Sequence, residues 1–258
     1  THHCLSDFMP WLPPLSGSKL KIERANQHIN ELNTAIATFF KTGADSLRVD
    51  TDFAGVDAKP LPKGIPLILG DAVHNLRAAL DLMACEIVII AGGTPSKHCT
   101  FPIRDTRQKL VDAVSDGEIK IGGSDICDLI TDVIKPYIGG NDPIWSLNKI
   151  DIIDKHRLLI PTIGILEVSG VCAHDDNNNT FTDLTFRVGS GGRLNAIGTS
   201  AKMHITNYGQ PAFDVFFPKD TPSEDQPLIP TLHQLPQVVS GVIETIEKAY
   251  LARSQTKP

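Results

Sequence analysis

The segment that decides the fold is Gly70-Asp-Ala-Val-His-Asn-Leu-Arg-Ala-Ala-Leu-Asp81. It lies inside a long apolar run, residues 65–91, which predicts one buried or half-buried helix. At 100° per residue, polar side chains fall on or beside one stripe of this helix: Asp71, His74, Asn75, Arg77 and Asp81. An unpaired polar group inside a protein costs about 1–3 kcal/mol, so these side chains need partners or a task.

Two interpretations of this stripe stay open. In the functional one, the stripe lines a pocket between helices, where His74 transfers protons, Arg77 holds an anion and Asp81 orients a histidine. In the structural one, the same side chains form a buried polar network that locks two helices in register. The crowding of polar groups on one segment of an apolar helix favours the functional interpretation.

A second polar cluster lies at the C-terminal end of the helix predicted at residues 142–157. It comprises Asp151, Asp154, Lys155, His156 and Arg157. Charge compensation at the negative end of the helix dipole explains Lys155 and Arg157 but not Asp154. A pair between Asp154 and a histidine or arginine that faces another helix is an equally good explanation. His156 is therefore a second candidate for proton transfer, and Asp154 is a second candidate to orient a histidine.

A third candidate, His28, lies at the border of the apolar face of a helix predicted from Ser16 or Ser18 to Lys41. A lone histidine there is more often a core residue than a ligand. A bundle would nevertheless bring together groups able to bind a transition metal: His28, His74, His156, Asp81 and Asp154. No helix carries the E-x-x-H or H-x-x-x-H spacing of bundle metal sites, so we expect no cofactor and keep a metal-dependent enzyme as an alternative.

Composition narrows the class of protein. The net charge of −6 and the pI of about 5.8 argue against strong nonspecific binding of nucleic acid. The five cysteines are widely spaced without a C-x-x-C pair, which is typical of a reducing cytoplasm. Charges interrupt the longest apolar run, and residues 1–4 lack a signal pattern. We therefore expect a cytoplasmic protein that does not enter a membrane.

The predicted elements come in the order helices, strands, helix, which indicates an α+β fold rather than alternating βαβ units. We expect one domain over residues 1–258, with a helical bundle at 17–157 and an antiparallel sheet plus closing helix at 158–258. The strands are predicted at 162–172, 183–188, 201–207 and 212–217, as a meander. A turn at 208–211 separates the last two, and a Pro-rich linker at 218–230 precedes a final helix at 232–252.

A homodimer is a further expectation. The stripe from Ile22 to Phe39 on the first helix and the apolar face of the C-terminal helix both offer surfaces to a second copy.

Four blocks of the sequence resemble a family of uncharacterised bacterial proteins: residues 23–28, 70–81, Phe101-Pro-Ile103 and Asp154-Lys-His-Arg157. The shared pattern, HNLRxALD…FPI…DKHR, covers roughly residues 18–160. The helical half also resembles, more distantly, the HEPN superfamily of helical bundles. Many of its members are metal-independent ribonucleases with an Arg-x(4–6)-His motif.

This second resemblance implies that an arginine stabilises the phosphorane charge while a histidine moves protons. Arg77 matches the arginine, but Leu82 stands five residues later and no histidine follows within the motif's spacing. His74 or His156 would then take the histidine's part.

The sequence thus predicts a polar pocket between helices, in its sharpest form one for acid–base hydrolysis of a phosphodiester-like substrate. The catalytic candidates are His74, Arg77, Asp81 and His156. The candidates for binding a small anionic ligand or RNA are His28, Asn75, Asp154, Lys155 and Arg157. The alternatives are a non-catalytic module that binds a small molecule or a partner through a structural polar network, and the metal-dependent enzyme.

Overall fold

The structure is a computed structural model that describes residues 15–43, 48–49, 56–57, 59–187 and 203–255. Its helices are α1 (Ser16–Gly43), α2 (Gly64–Ile90), α3 (Arg107–Asp116), α4 (Ser124–Asp128), α5 (Asp142–His156) and α6 (Leu228–Gln255). Its strands are β1 (Arg48–Val49), β2 (Val56–Asp57), β3 (Thr162–Asp175), β4 (Thr180–Arg187) and β5 (Met203–Phe216). A 3₁₀ helix (Glu118–Gly122) precedes α4, and a π-helix (Leu129–Ile134) follows it. The α+β class is confirmed.

Helix α2 has nearly the predicted bounds. Its apolar side is fully buried, including Leu69, Leu76 and Leu80. Beyond its end, Gly92 has a φ of 85°, and the N–H of Gly93 donates to the carbonyl of Val88 at 2.9 Å. This is a Schellman-type C-cap, for which a glycine in the left-handed region is suited.

The apolar stripe of α1 is covered within the same chain. Ile22, Ile29, Leu32 and Ile36 are all buried. The stripe therefore needs no second copy of the chain to cover it, which removes this argument for a homodimer. Within the described residues, no helix has the length and apolar character needed to cross a membrane.

The start of α1 is capped from another helix. The N–H of Gly17 donates to Glu86 of α2 at 3.2 Å, and the Ser18 hydroxyl donates to the same carboxylate. The cap is thus a carboxylate from α2, and a negative charge is favoured near the positive end of a helix dipole.

The chain divides by its contacts into two compact units. One consists of the described parts of residues 1–30, 68–157 and 232–258, and the other of those of 31–67 and 158–231. The first contains most of α2, all of α3 to α5 and most of α6, and the second contains the strands. The single-domain organisation stays a prediction.

The described three-stranded sheet is antiparallel and has the order β4-β3-β5. Asp175 holds the hairpin loop between β3 and β4, because it accepts from the N–H groups of Asn177 and Asn179, both at 2.9 Å. The meander is wrong, because β5 pairs with β3 along nearly its whole length instead of with β4. Ile165, Val168 and Val171 of β3 form the buried cluster of this sheet.

The turn predicted at residues 208–211 is also wrong, since β5 runs through it as one strand. Gly209 has a φ of 68°, and a Cβ there would collide with the carbonyl oxygen of Ser169 on β3. Pro211 is accommodated because β5 lies at the edge of the described sheet, where a missing N–H is tolerated. Residues 188 and 201–202, also expected in strands, lie outside the described part.

Two connections hold more regular structure than predicted. The loop expected between the first two long helices contains the short antiparallel pair of β1 and β2. Helix α6 starts at Leu228, inside the expected Pro-rich linker. Pro230 falls in the first turn of α6, where a proline is tolerated because the missing N–H would have no partner inside the helix.

Candidate functional site

Helices α2 and α5 face each other through three successive contacts. Gly70 lies against Asp154, His74 bonds to Asp151, and Arg77 bonds to Asn148. The numbers rise along one helix as they fall along the other, so the two helices run antiparallel. The polar stripe of α2 is thus directed at α5.

Gly70 allows the first of these contacts. A Cβ added to Gly70 would stand 2.9 Å from the carboxylate carbon of Asp154, closer than real Cβ atoms come to a neighbour. Any larger residue at this position would require the Asp154 side chain to move from its observed place. The Asp154 that helix-end compensation did not explain is therefore packed against the start of the polar stripe.

His74 forms the central contact. Its Nδ1 lies 3.1 Å from Oδ1 of Asp151, and Lys155 Nζ lies 2.6 Å from Oδ2 of the same carboxylate. The Asp151 side chain is only 2% exposed, whereas that of His74 is 56% exposed. A buried carboxylate thus carries charge-assisted bonds on both of its oxygens.

The contact at Nδ1 favours one tautomer of the neutral imidazole. With Asp151 ionised, Nδ1–H of His74 donates to the carboxylate, which leaves the Nε2 lone pair to accept a proton. Because the ring is more than half exposed, a ligand in solvent can reach it. The pair is able to act as a general base, and after protonation as a general acid.

Arg77 forms the third contact, and each of its three side-chain nitrogens donates to a protein partner. Its Nε donates to Asn148 Oδ1 at 2.9 Å, Nη1 to Asp81 Oδ1 at 2.6 Å, and Nη2 to the carbonyl of Phe101 at 3.1 Å. Asp81 also accepts the Phe101 N–H at 2.9 Å. Burial raises the pKa of the Asp81 carboxyl, and the charge of Arg77 partly opposes this shift.

The Arg77 network has the features of the structural interpretation. The residue is only 7% exposed, and two of its three bonds tie α2 to α5 and to the buried Phe101-Pro-Ile103 segment. A buried guanidinium in this position fixes the spacing of the two helices. Arg77 and Asp81 therefore support the site, whereas His74 stands open to solvent.

The remaining predicted residues lie in varied surroundings. Asn75 donates to the carbonyl of Asp71 at 2.8 Å and accepts from Lys21 at 3.3 Å. His28 is buried in α1. His156, the last residue of α5, and Arg157 are exposed at that helix end.

The metal alternative gains no support from the geometry. Among the described residues, no three His, Cys, Asp or Glu side chains form a group able to hold a metal ion. His28, His74, His156, Asp81 and Asp154 all belong to the described part, so the ligand set that this alternative needs is not assembled.

Sequence reasoning missed two residues of the site. Asp151 was part of the second cluster but had no role, and Asn148 was not considered. Both had a signal, because Asn148, Asp151 and Lys155 repeat on α5 the i, i+3, i+7 spacing that marks the stripe of α2.

A cavity of about 300 Å³ opens beside the contact of Arg77 with Asn148. Its polar walls include Arg104, Asp105, Trp145 and Lys149, which the sequence did not single out. Asp105 accepts from the indole Nε1 of Trp145 at 3.0 Å and lies 3.1 Å from Lys149 Nζ. These two bonds hold the pKa of the Asp105 carboxyl below its usual value.

No family model matches the chain, and searches of curated proteins and of solved structures give no match either. The resemblance to the bacterial family and to the HEPN superfamily therefore stays a prediction.

Proposed function

We propose that this protein is a hydrolase that uses His74 for acid–base cleavage of a phosphodiester, as found in single-stranded RNA. The supporting observation is the pairing of an exposed imidazole with a buried carboxylate, His74 with Asp151, at 3.1 Å. A carboxylate held in this way fixes the tautomer and orientation of a catalytic histidine.

The proposed reaction starts when Nε2 of His74 accepts the proton of the 2′-hydroxyl while that oxygen attacks phosphorus. The bond from phosphorus to the 5′-oxygen breaks, and the imidazolium returns the proton to this leaving oxygen. The products are a 2′,3′-cyclic phosphate and a free 5′-hydroxyl, and His74 regains its initial state. Asp151 keeps its charge throughout and stabilises the imidazolium.

An anionic substrate suits the charges near His74. Lys155, half exposed beside the pair, can approach a phosphate while it neutralises Asp151. Arg104 and Lys149 line the cavity next to the Arg77 contact, one helical turn from His74 on α2. Such a local cationic patch is compatible with the overall net charge of −6.

The test is cleavage of single-stranded RNA by the purified chain in excess EDTA, which separates this proposal from the metal-dependent alternative. His74→Gln should lower the rate by about 100-fold or more, the lower bound for general acid–base catalysis. His204→Gln is the matched control, because His204 also lies 2.8 Å from a carboxylate, that of Asp176, but in an exposed pair on the sheet. No cleavage by the native chain, or equal loss in both variants, would refute the proposal.

The second candidate is a non-catalytic module that binds a small molecule or partner. The observation that favours it is that all three side-chain nitrogens of buried Arg77 donate to partners within the protein. Under this alternative, no RNA is cleaved, and substitutions along the α2–α5 contact alter stability only.

We also propose a cytoplasmic location. The cysteines within the described part of the chain, Cys85, Cys99, Cys127 and Cys172, are free thiols. This supports a reducing compartment, and fluorescence microscopy of a tagged full chain in its native cell is the check.

A further inference from the structure

The cavity beside Arg77 is lined by more cations than carboxylates. Three cations line it, Arg77, Arg104 and Lys149. Arg77 is paired with Asp81 at 2.6 Å, and Lys149 with Asp105 at 3.1 Å. The charge that this cavity presents to a ligand therefore depends on whether its third cation, Arg104, is paired.

Arg104 is the exposed cation of this wall. Its Nη1 donates to the carbonyl of Ile103 at 2.8 Å, and within the described part of the chain no carboxylate forms an ion pair with it. The cavity thus offers one uncompensated positive charge. That charge suits a group with a single negative charge, and the planar guanidinium matches the oxygens of a phosphodiester or a carboxylate.

Trp145 supplies a flat apolar surface in the same cavity. Its ring is half-buried, and the bond from Nε1 to Asp105 fixes its orientation. Lys149 Nζ lies 5.6 Å from the ring centroid. Nucleic acid bases stack on such fixed aromatic rings, and a neighbouring cation contacts the backbone phosphate.

The size of the cavity sets the size of its ligand. A volume of about 300 Å³ is at the lower end of small-molecule sites. It accommodates one small group rather than a folded polymer. Arg77 and Asn148 both line the cavity, and the hydrogen bond between them fixes this part of its wall.

We infer that this cavity is a subsite for one phosphodiester group and its adjoining base, in which Arg104 binds the phosphate. The inference rests on the proposed function for the phosphodiester chemistry of the substrate. The sequence predicts that Arg77 binds the anion, but the protein encloses this residue. The structure favours Arg104 for this role, because Arg104 is open to solvent.

The experiment is isothermal titration of the full chain with the deoxydinucleotide dTpdT at fixed salt. This probe carries one phosphodiester and lacks the 2′-hydroxyl, so it binds without being cleaved by the proposed reaction. Its methylphosphonate analogue removes the negative charge alone, and benzoate serves as a flat carboxylate of the same charge. The variants are Arg104→Gln and, as matched control, Arg107→Gln, whose arginine is exposed and paired with Asp132.

The expected result is binding of dTpdT that weakens at least about tenfold in Arg104→Gln, as for loss of a charge-assisted bond. The methylphosphonate should show a similar loss, and Arg107→Gln should bind like the native chain. The inference is overturned if dTpdT does not bind, if Arg104→Gln binds it equally well, or if benzoate binds as tightly as dTpdT.

The two proposals can fail separately. His74→Gln should bind dTpdT like the native chain, since His74 does not line the cavity. Binding that depends on Arg104 without RNA cleavage would refute the hydrolase and keep the subsite. RNA cleavage with an unchanged KM in Arg104→Gln would refute the subsite and keep the hydrolase.

Discussion

Replacing Arg77 by leucine tests how the α2–α5 contact is held together. Leucine fills part of the space but leaves Asp81 without its cation and removes the donors to Asn148 and to the Phe101 carbonyl. Breaking a buried ion pair costs about 3–5 kcal/mol. Because the Asp81 side chain is 30% exposed, solvent relieves part of this cost and places it near the lower end, about 3 kcal/mol.

The cost should depend on pH in a defined direction. Burial already raises the pKa of Asp81, and loss of the Arg77 charge raises it further. A carboxyl with a higher pKa in the folded state binds more protons folded than unfolded, so its contribution to stability falls as the pH rises through that window. This pH window starts near the ordinary pKa of an aspartate, about 3.9, and extends to higher pH. Arg77→Leu should therefore be less destabilising at pH 4.5 than at pH 7.

Urea denaturation at both pH values measures this prediction. A loss of about 3 kcal/mol corresponds to a fall in Tm of roughly 6–12 °C for a chain of this length. Arg107→Leu is the control, because it breaks an exposed ion pair and should unfold like the native chain. An Arg77→Leu protein as stable as this control, or one whose stability deficit grows at low pH, would contradict the role of this ion pair.

Three further outcomes follow from the packing. Gly70→Ala should destabilise the fold by about 1–3 kcal/mol through overpacking, despite a better helix propensity, and Asp154→Ala in the same chain should restore most of the loss in urea melts. Glu86→Ala should lower the free energy of unfolding by about 1 kcal/mol, as for loss of an N-cap. Glu86→Gln should lower it less, because glutamine retains an acceptor for the start of α1, and equal losses in the two variants would contradict this cap. Burial raises the pKa of Cys99 to about 12, so in the folded protein at pH 8 it should react with iodoacetamide far more slowly than in urea; equal rates by mass spectrometry would contradict this.

The helices were predictable because their signals are local. The apolar run at 65–91 and the glycines after it placed α2 within about one residue of its bounds, Gly64–Ile90. The polar stripe was visible as well, since His74 and Arg77 share a face at i, i+3 spacing. Such periodicity depends only on residues within the same helix.

The partners of the stripe were less predictable, because they come from distant parts of the chain. Nothing in α2 specifies that Asp151 meets His74 or that the backbone of Phe101 holds both Arg77 and Asp81. The matching i, i+3, i+7 spacing on α5 was the available signal. It predicts a polar face on α5, but which helix that face contacts depends on tertiary packing.

The sheet shows the same limit. Gly209 and Pro211 predict a turn by their local preferences, yet both lie within β5. Glycine is needed there for a close approach to β3, and proline is tolerated because the strand lies at an edge of the described sheet. Both reasons depend on strand pairing, which a local pattern does not contain.

The proposed hydrolase requires that buried Asp151 orients His74 for proton transfer. The most direct test is the rate of RNA cleavage in EDTA by the native chain and by Asp151→Asn. Both rates are measured at a temperature below the melting transitions of the two proteins. We expect a kcat at least about 100-fold lower in Asp151→Asn with an unchanged KM, because the amide no longer holds the imidazole in the required tautomer. Equal rates in the two proteins would contradict it.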